Sequence, residues 1–145
     1  MRALLQRVSQ ARVDVAGACV GQIDSGLLVL LGLAKGDDQS TADKMLDKLL
    51  AYRVFADKAG KMNCSISQVD GGILLVSQFT LCADTQKGLR PGFSSALSPE
   101  LAEPLYLYTL EQLQKRHADV AAGVFGADMQ VSLVNNGPVT FLLEC

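Results

Sequence analysis

Gly71-Gly72-Ile73-Leu74-Leu75-Val76-Ser77-Gln78-Phe79-Thr80-Leu81 is the stretch whose reading decides the fold. A glycine pair breaks the chain, and four aliphatic residues follow, the pattern of a strand buried on both faces. The run then turns polar. Period-two alternation predicts Ser77, Phe79 and Leu81 on one face, with Gln78 and Thr80 on the other. Hydroxyl and amide groups at the end of a buried strand need partners, which are either neighbouring backbone or a ligand. On this stretch alone both readings stand.

Working outward, Leu27-Leu28-Val29-Leu30-Leu31 repeats the aliphatic run after the turn signal Asp24-Ser25-Gly26, and helices are expected to cover both of its faces. Residues 1–33 read as a β-meander with a turn at Ala16-Gly17. Ser40 or Thr41 is expected to cap a helix whose apolar stripe is Met45, Leu46, Leu49 and Leu50. Asp57 to Lys61 reads as a turn, and residues 62–70 as irregular. Ser98-Pro99-Glu100 opens a second helix. Leu101, Leu105, Tyr108 and Gln112 lie along one of its sides and Ala102, Tyr106, Leu110 and Leu113 along another, which predicts a well-covered helix. Lys115-Arg116-His117 suits its C-terminal end, and His117 is read as a surface residue rather than a catalyst. Met129, Val131 and Leu133 alternate with Gln130, Ser132 and Val134, a strand signal, and Val139, Phe141 and Leu143 alternate likewise. The intervening Asn135-Asn136-Gly137-Pro138 reads as a hairpin turn. Together these signals predict one α/β domain over residues 1–145.

The composition narrows the function. Hydrophobic residues make up 49% of the 145 and charged residues 19%, so a folded core is expected and disorder is not. No apolar run approaches the roughly 18 to 20 residues of a membrane span. The start lacks the apolar core of a signal peptide, so the expected location is cytoplasmic. The cysteines Cys19, Cys64, Cys82 and Cys145 are scattered and read as free thiols, and with one histidine they make a poor metal site. No metal and no cofactor is expected. A net charge of −2 argues against a broad nucleic-acid interface, and DNA is not an expected partner. A small pocket for a nucleic-acid end remains compatible with it.

Several catalytic signatures are missing: there is no Gly-x-Ser-x-Gly elbow, no phosphate-binding glycine loop and no His-Glu-x-x-His. Ser77-Gln78-Phe79-Thr80-Leu81, Asn136-Gly137-Pro138-Val139-Thr140 and the start Arg2-Ala3-Leu4-Leu5-Gln6-Arg7-Val8 together resemble the D-aminoacyl-tRNA (D-tyrosyl-tRNA) deacylase family. The resemblance covers essentially the whole chain; it departs at Leu89 and Gly92, where the family's loop is more polar. It implies a mainly antiparallel, barrel-like core with two main helices, assembled as a homodimer with active sites at the subunit interface. It implies hydrolysis of the ester between a D-amino acid, or glycine, and the terminal adenosine of tRNA, so the partner is the acceptor end of aminoacylated tRNA.

On the same resemblance Ser77, Gln78, Phe79 and Thr80 form the substrate pocket, Phe125 and Met129 wall its adenosine region, and Arg7 braces the Gly137-Pro138 segment. That segment, with a cis peptide, reaches into the partner's pocket and selects chirality. Thr80 is the side-chain candidate for catalysis. No general base is visible beside it, so the reading favours the adenosine's own 2′-hydroxyl as the activating group. Backbone N–H groups near Phe79 and Thr80 could stabilise an oxyanion. The alternative is a non-catalytic dimeric binder of an RNA 3′ end or a nucleoside. Lys87 and Arg90, in the loop after Leu81, are candidates for phosphate contacts.

Overall fold

In the computed structural model, which describes residues 1–145, the two aliphatic runs lie side by side. Strands β1 (Arg2–Val15), β2 (Ala18–Ile23) and β3 (Gly26–Gly32) open the chain, and β6 (Gly72–Ser77) pairs in parallel with β3. Successive residues of the two runs face opposite ways. Leu27, Val29, Leu31, Ile73 and Leu75 enter the larger apolar cluster, under helices α1 (Gln39–Ala51) and α3 (Pro99–Arg116). Leu28, Leu74 and Val76 enter a second cluster with Val8, Ala11, Val13 and Ile23. Both runs are therefore covered on both faces, but helices cover only one of them. The other is closed by the sheet itself, curled into a barrel-like form.

That curl follows from β1. Its first half pairs with β3 and its second half with β2, both antiparallel, while β8 (Gln130–Glu144) runs antiparallel along its whole length. The short β7 (Val120–Ala122) adds in parallel to β6, giving the order β2-β1-β3-β6-β7. Antiparallel pairing dominates, with the parallel set β3-β6-β7 at one end of that order. Burial switches phase along β1: Ala3 and Leu5 are buried, then Val8, then Ala11 and Val13. Register irregularities between Gln6 and Val8 and between Val8 and Gln10 account for the switch.

Several local expectations are corrected. Residues 62–70 are ordered into β5 (Met62–Ser65), which pairs with β4 (Arg53–Ala56), and the one-turn helix α2 (Ile66–Val69). Asp38 caps α1, accepting from Thr41 N at 2.8 Å; neither Ser40 nor Thr41 is the cap, because both already lie in the first turn. Helix α3 is covered on a single face, by Ala102, Leu105, Tyr106, Thr109 and Leu113, and it leaves Leu101 and Leu107 exposed. His117 is half-buried at the C-cap, with Nε2 2.7 Å from Gly71 O. The glycine pair is not itself the turn, since the left-handed residue is Asp70 (φ 49°). Glycine is needed there for close approach: a Cβ on Gly71 would sit 2.8 Å from Ile66 Cδ1, and one on Gly72 2.7 Å from Asp119 Oδ2. No helix is long and apolar enough to cross a membrane.

The largest correction concerns Asn135 to Pro138. It is no hairpin turn: β8 runs straight through it. Gln6 pairs with Thr140 and Val8 with Asn135, so Arg7 alone stands opposite residues 136–139. The extra residues arch out as a bulge, which is how a proline with no N–H to offer is accommodated inside a long strand. Gly137 has φ 147° and the Gly137–Pro138 peptide is cis.

Candidate active site

The alternation predicted beyond Val76 stops at Ser77. Gln78 N donates to Leu31 O at 2.7 Å, which turns the chain, and Phe79–Cys82 form a 3-10 turn. The turn, rather than a pleat, sets the direction of the polar groups. Ser77, Gln78 and Phe79 line a cleft of about 690 Å³ beneath it. Phe125 and Met129, from the segment joining β7 to β8, line the same cleft, so five of the sequence-predicted pocket residues come together. Thr80 is exposed and is not among the lining residues. Its hydroxyl accepts from the Gln78 side-chain amide, and no carboxylate, imidazole or amine bonds it.

The N–H groups of Gln78, Leu81 and Ala83 donate to the carbonyls of Leu31, Gln78 and Thr80, whereas those of Phe79 and Thr80, the first two of the 3-10 turn, have no acceptor within it. This follows from helix geometry, in which the first N–H groups have no intrahelical acceptor. Two donors therefore open the turn, at Phe79, which lines the cleft, and at its neighbour Thr80, which does not. Cys82 closes the turn, but burial pushes its thiol pKa up, so it is protonated at neutral pH and is no nucleophile.

Sequence reasoning missed the opposite wall. The chain from Phe93 to Ala102 crosses the cleft, held by Lys35 N to Ser95 O and Leu97 N to Leu33 O, both 2.9 Å. The Phe93 ring packs against Phe79 with centroids 5.0 Å apart, and both are exposed, at 40% and 58%. Lys35 and Asp128 are the charged residues of the lining. Nothing in the local sequence marks these residues, because the contacts between residues 33–35 and 95–97 join distant parts of the chain. Lys87 and Arg90 lie in the exposed loop outside the cleft.

Gly137 and Pro138 also lie outside it, exposed on the arch of β8. The arch is pinned from two sides. Asn135 Oδ1 accepts from Val139 N at 2.7 Å, and Asn135 Nδ2 donates to Thr140 Oγ1 at 2.9 Å. Arg7 donates from Nε to Asn136 O at 2.9 Å and from Nη1 to Val54 O at 2.7 Å. An amide and a guanidinium thus take up main-chain bonds that the ladder drops, which fixes the arch against β1 and β4. The brace by Arg7 was expected. The staple by Asn135 was not, although an asparagine beside a Gly-Pro pair is the available signal.

Fold and cleft define a small α/β enzyme scaffold with an aromatic-lined site at a strand end. The sequence profile of the family described as D-Tyr-tRNA(Tyr) deacylase matches residues 4–144. D-aminoacyl-tRNA deacylases of Cellvibrio japonicus and Stutzerimonas stutzeri are each 62% identical over 144 residues, covering 99% of both chains. A solved structure titled "c-Myc DNA Unwinding Element Binding Protein" superimposes with a TM-score of 0.96 at 42% identity, over 100% of this chain and 99% of that one. The fold alone is shared with a structure titled "Structural Analysis of a probable eukaryotic D-amino acid tRNA deacylase", at TM-score 0.84 and 16% identity over 98% and 97% of the two chains. The chain belongs to the D-aminoacyl-tRNA deacylase family and is a hydrolase.

Proposed function

We propose that this chain hydrolyses the ester between a D-amino acid, or glycine, and the 3′-terminal adenosine of tRNA, and leaves L-aminoacyl-tRNA intact. The observation that carries the reading is the convergence of Ser77, Gln78, Phe79, Phe125 and Met129 on one cleft in a chain of this family. Aromatic and thioether side chains suit an adenine ring, and the N–H groups of Phe79 and Thr80 at the start of the 3-10 turn suit an ester carbonyl. Water adds to the carbonyl carbon, the tetrahedral oxyanion accepts from those N–H groups, and the bond to the ribose oxygen breaks. That oxygen leaves with a proton, and the products are the free amino acid and tRNA. The activating group is the neighbouring 2′-hydroxyl of the ribose, since Thr80 has an amide and no base for a partner. Thr80 orients groups and does not attack.

Chirality is selected by a second copy of the chain. In a homodimer the pinned Gly137-Pro138 arch reaches into the partner's cleft, where its carbonyls accept from the substrate's α-amino group. An L side chain collides with this main chain, whereas a D side chain points away and glycine has none to collide. The filter reads main-chain shape, so it is indifferent to which D side chain is present. The exposure of the arch and its two-sided bracing support this role. The site of action is the cytoplasm, where aminoacyl-tRNA is used. A net charge of −2 suits contact limited to the acceptor end and opposes a DNA interface.

Incubation of the purified protein with D-tyrosyl-tRNA and L-tyrosyl-tRNA tests the reading. The D-ester is lost at catalytic enzyme levels and the L-ester persists. If the D-ester survives while the protein still binds the tRNA end, the chain is a binder and not a hydrolase.

A further inference from the structure

Lys35 lies between β3 and α1 and lines the cleft together with Ser77, Phe79 and Met129. Its backbone is fixed there, because Lys35 N donates to Ser95 O and Ala34 bridges to Ala96. Two carboxylates follow within three residues, and Lys35 pairs with neither. Asp37 accepts from the Met1 ammonium at 2.7 Å and from Ala34 N at 2.7 Å, while Asp38 accepts from the backbone and hydroxyl of Thr41. Lys35 takes part in none of the chain's ion pairs. Lys35 thus adds to the cleft lining a positive charge with no ion-pair partner. The other charged lining residue, Asp128, repels anions.

We propose that Lys35 binds the phosphate that joins the terminal adenosine to the nucleotide before it, and so sets the direction in which the tRNA end enters the cleft. The proposal rests on the cleft being the substrate site argued above. A nucleoside there carries its phosphate on one side only, and of the two charged residues only Lys35 attracts it. Lysine acts here as a point charge, which tolerates the small motions of a single-stranded end. Lys35 touches no reacting atom, so its contribution is to binding.

Lys35→Ala, Lys35→Glu and Lys35→Arg are compared on D-tyrosyl-tRNA and on the phosphate-free ester 3′-O-D-tyrosyl-adenosine. The expected result is a KM for D-tyrosyl-tRNA raised about three- to fivefold by alanine, the scale of one exposed ion pair, and further by glutamate. The value of kcat stays unchanged, and arginine restores KM. The phosphate-free ester is cleaved equally by all four proteins. Loss of one phosphate contact also flattens the salt dependence of log affinity, by about 0.7 in slope for a single strand. Equal effects on both esters, or no effect on the tRNA ester, overturn the proposal. Binding of adenosine 5′-monophosphate against adenosine reads Lys35 without any turnover. Wild type prefers the monophosphate and Lys35→Ala does not; equal preference in the two proteins overturns the proposal as well. If wild type hydrolyses neither ester, the hydrolase reading fails, and this binding comparison still decides the role of Lys35.

Discussion

At the scale of single residues, Thr80 carries the sharpest question. A threonine nucleophile needs a group to take its proton, and the Thr80 hydroxyl meets only the amide of Gln78. An amide N–H donates to that oxygen and so makes it a poorer nucleophile. Thr80→Ala is therefore expected to keep kcat within about tenfold of wild type, the scale of a lost orienting contact. Replacing the terminal ribose by 2′-deoxyribose removes the proposed activating group, and should slow hydrolysis by about a hundredfold or more, as loss of a general acid or base does. Single-turnover hydrolysis of the two substrates by the two proteins measures both effects. A dead Thr80→Ala with normal turnover of the deoxy substrate would reverse the assignment, and a trapped acyl-threonine would do so directly. Ser77 to Thr80 were legible because the family motif holds them in one short run. Lys35 was not, since its place in the cleft depends on the pairing of residues 33–35 with 95–97.

Among the elements, α3 and β6 are joined by a buried tie. The Tyr106 hydroxyl donates to Leu75 O at 3.1 Å, and the same carbonyl accepts from Gly123 N at 2.9 Å. Burial pushes the Tyr106 phenol up to about 12, from an ordinary 10.0. The folded chain therefore keeps a proton that the unfolded chain loses above pH 10.0. Its contribution to stability is fully present below that pH and is lost as pH rises toward 12, by about 3 kcal/mol in all. Tyr106→Phe loses a bond worth about 1 kcal/mol at neutral pH, or less, because Leu75 O keeps Gly123 N as a partner. The variant has no phenol to titrate, so its stability should overtake wild type on the alkaline side. Urea unfolding at pH 8 and at pH 11.5 checks this, and parallel losses in the two proteins would show that Tyr106 is not the group responsible. The sequence placed Tyr106 on a covered side of α3 but could not supply its partner, which lies 31 positions earlier. The same limit applies to the sheet. Aliphatic runs are local and were legible as strands covered on both faces, whereas the parallel pairing of β3 with β6 is a long-range choice. Asn135 to Pro138 misled for a different reason. Its residues suit a turn, and only the pairing of β1 with β8 on both sides of them reveals a bulge instead.

For the molecule as a whole, the decisive feature is that cleft and arch lie apart within one chain. Ser77, Gln78 and Phe79 line the cleft, while Gly137 and Pro138 lie outside it, so selection by the arch requires a second copy. In a symmetric dimer each site would combine one chain's cleft with the other chain's arch. Two variants that each damage one half can then repair each other. Phe79→Asp puts a charge into the apolar side of the cleft, at a residue exposed enough to leave folding intact. Gly137→Val damages the arch, because a Cβ there would stand 2.6 Å from Val139 Cγ2 and 2.9 Å from Val139 N, at a φ of 147°. Each variant alone should be close to inactive on D-tyrosyl-tRNA. Unfolded together and refolded in equal amounts, they should form heterodimers as half of all dimers. Each heterodimer has one intact site, built from the cleft of the Gly137→Val chain and the arch of the Phe79→Asp chain. The mixture should therefore recover about a quarter of wild-type activity per chain, on random pairing within a two-fold symmetric dimer. An arch that served its own chain's cleft would leave every site with one defect, and the mixture would be no more active than its parts.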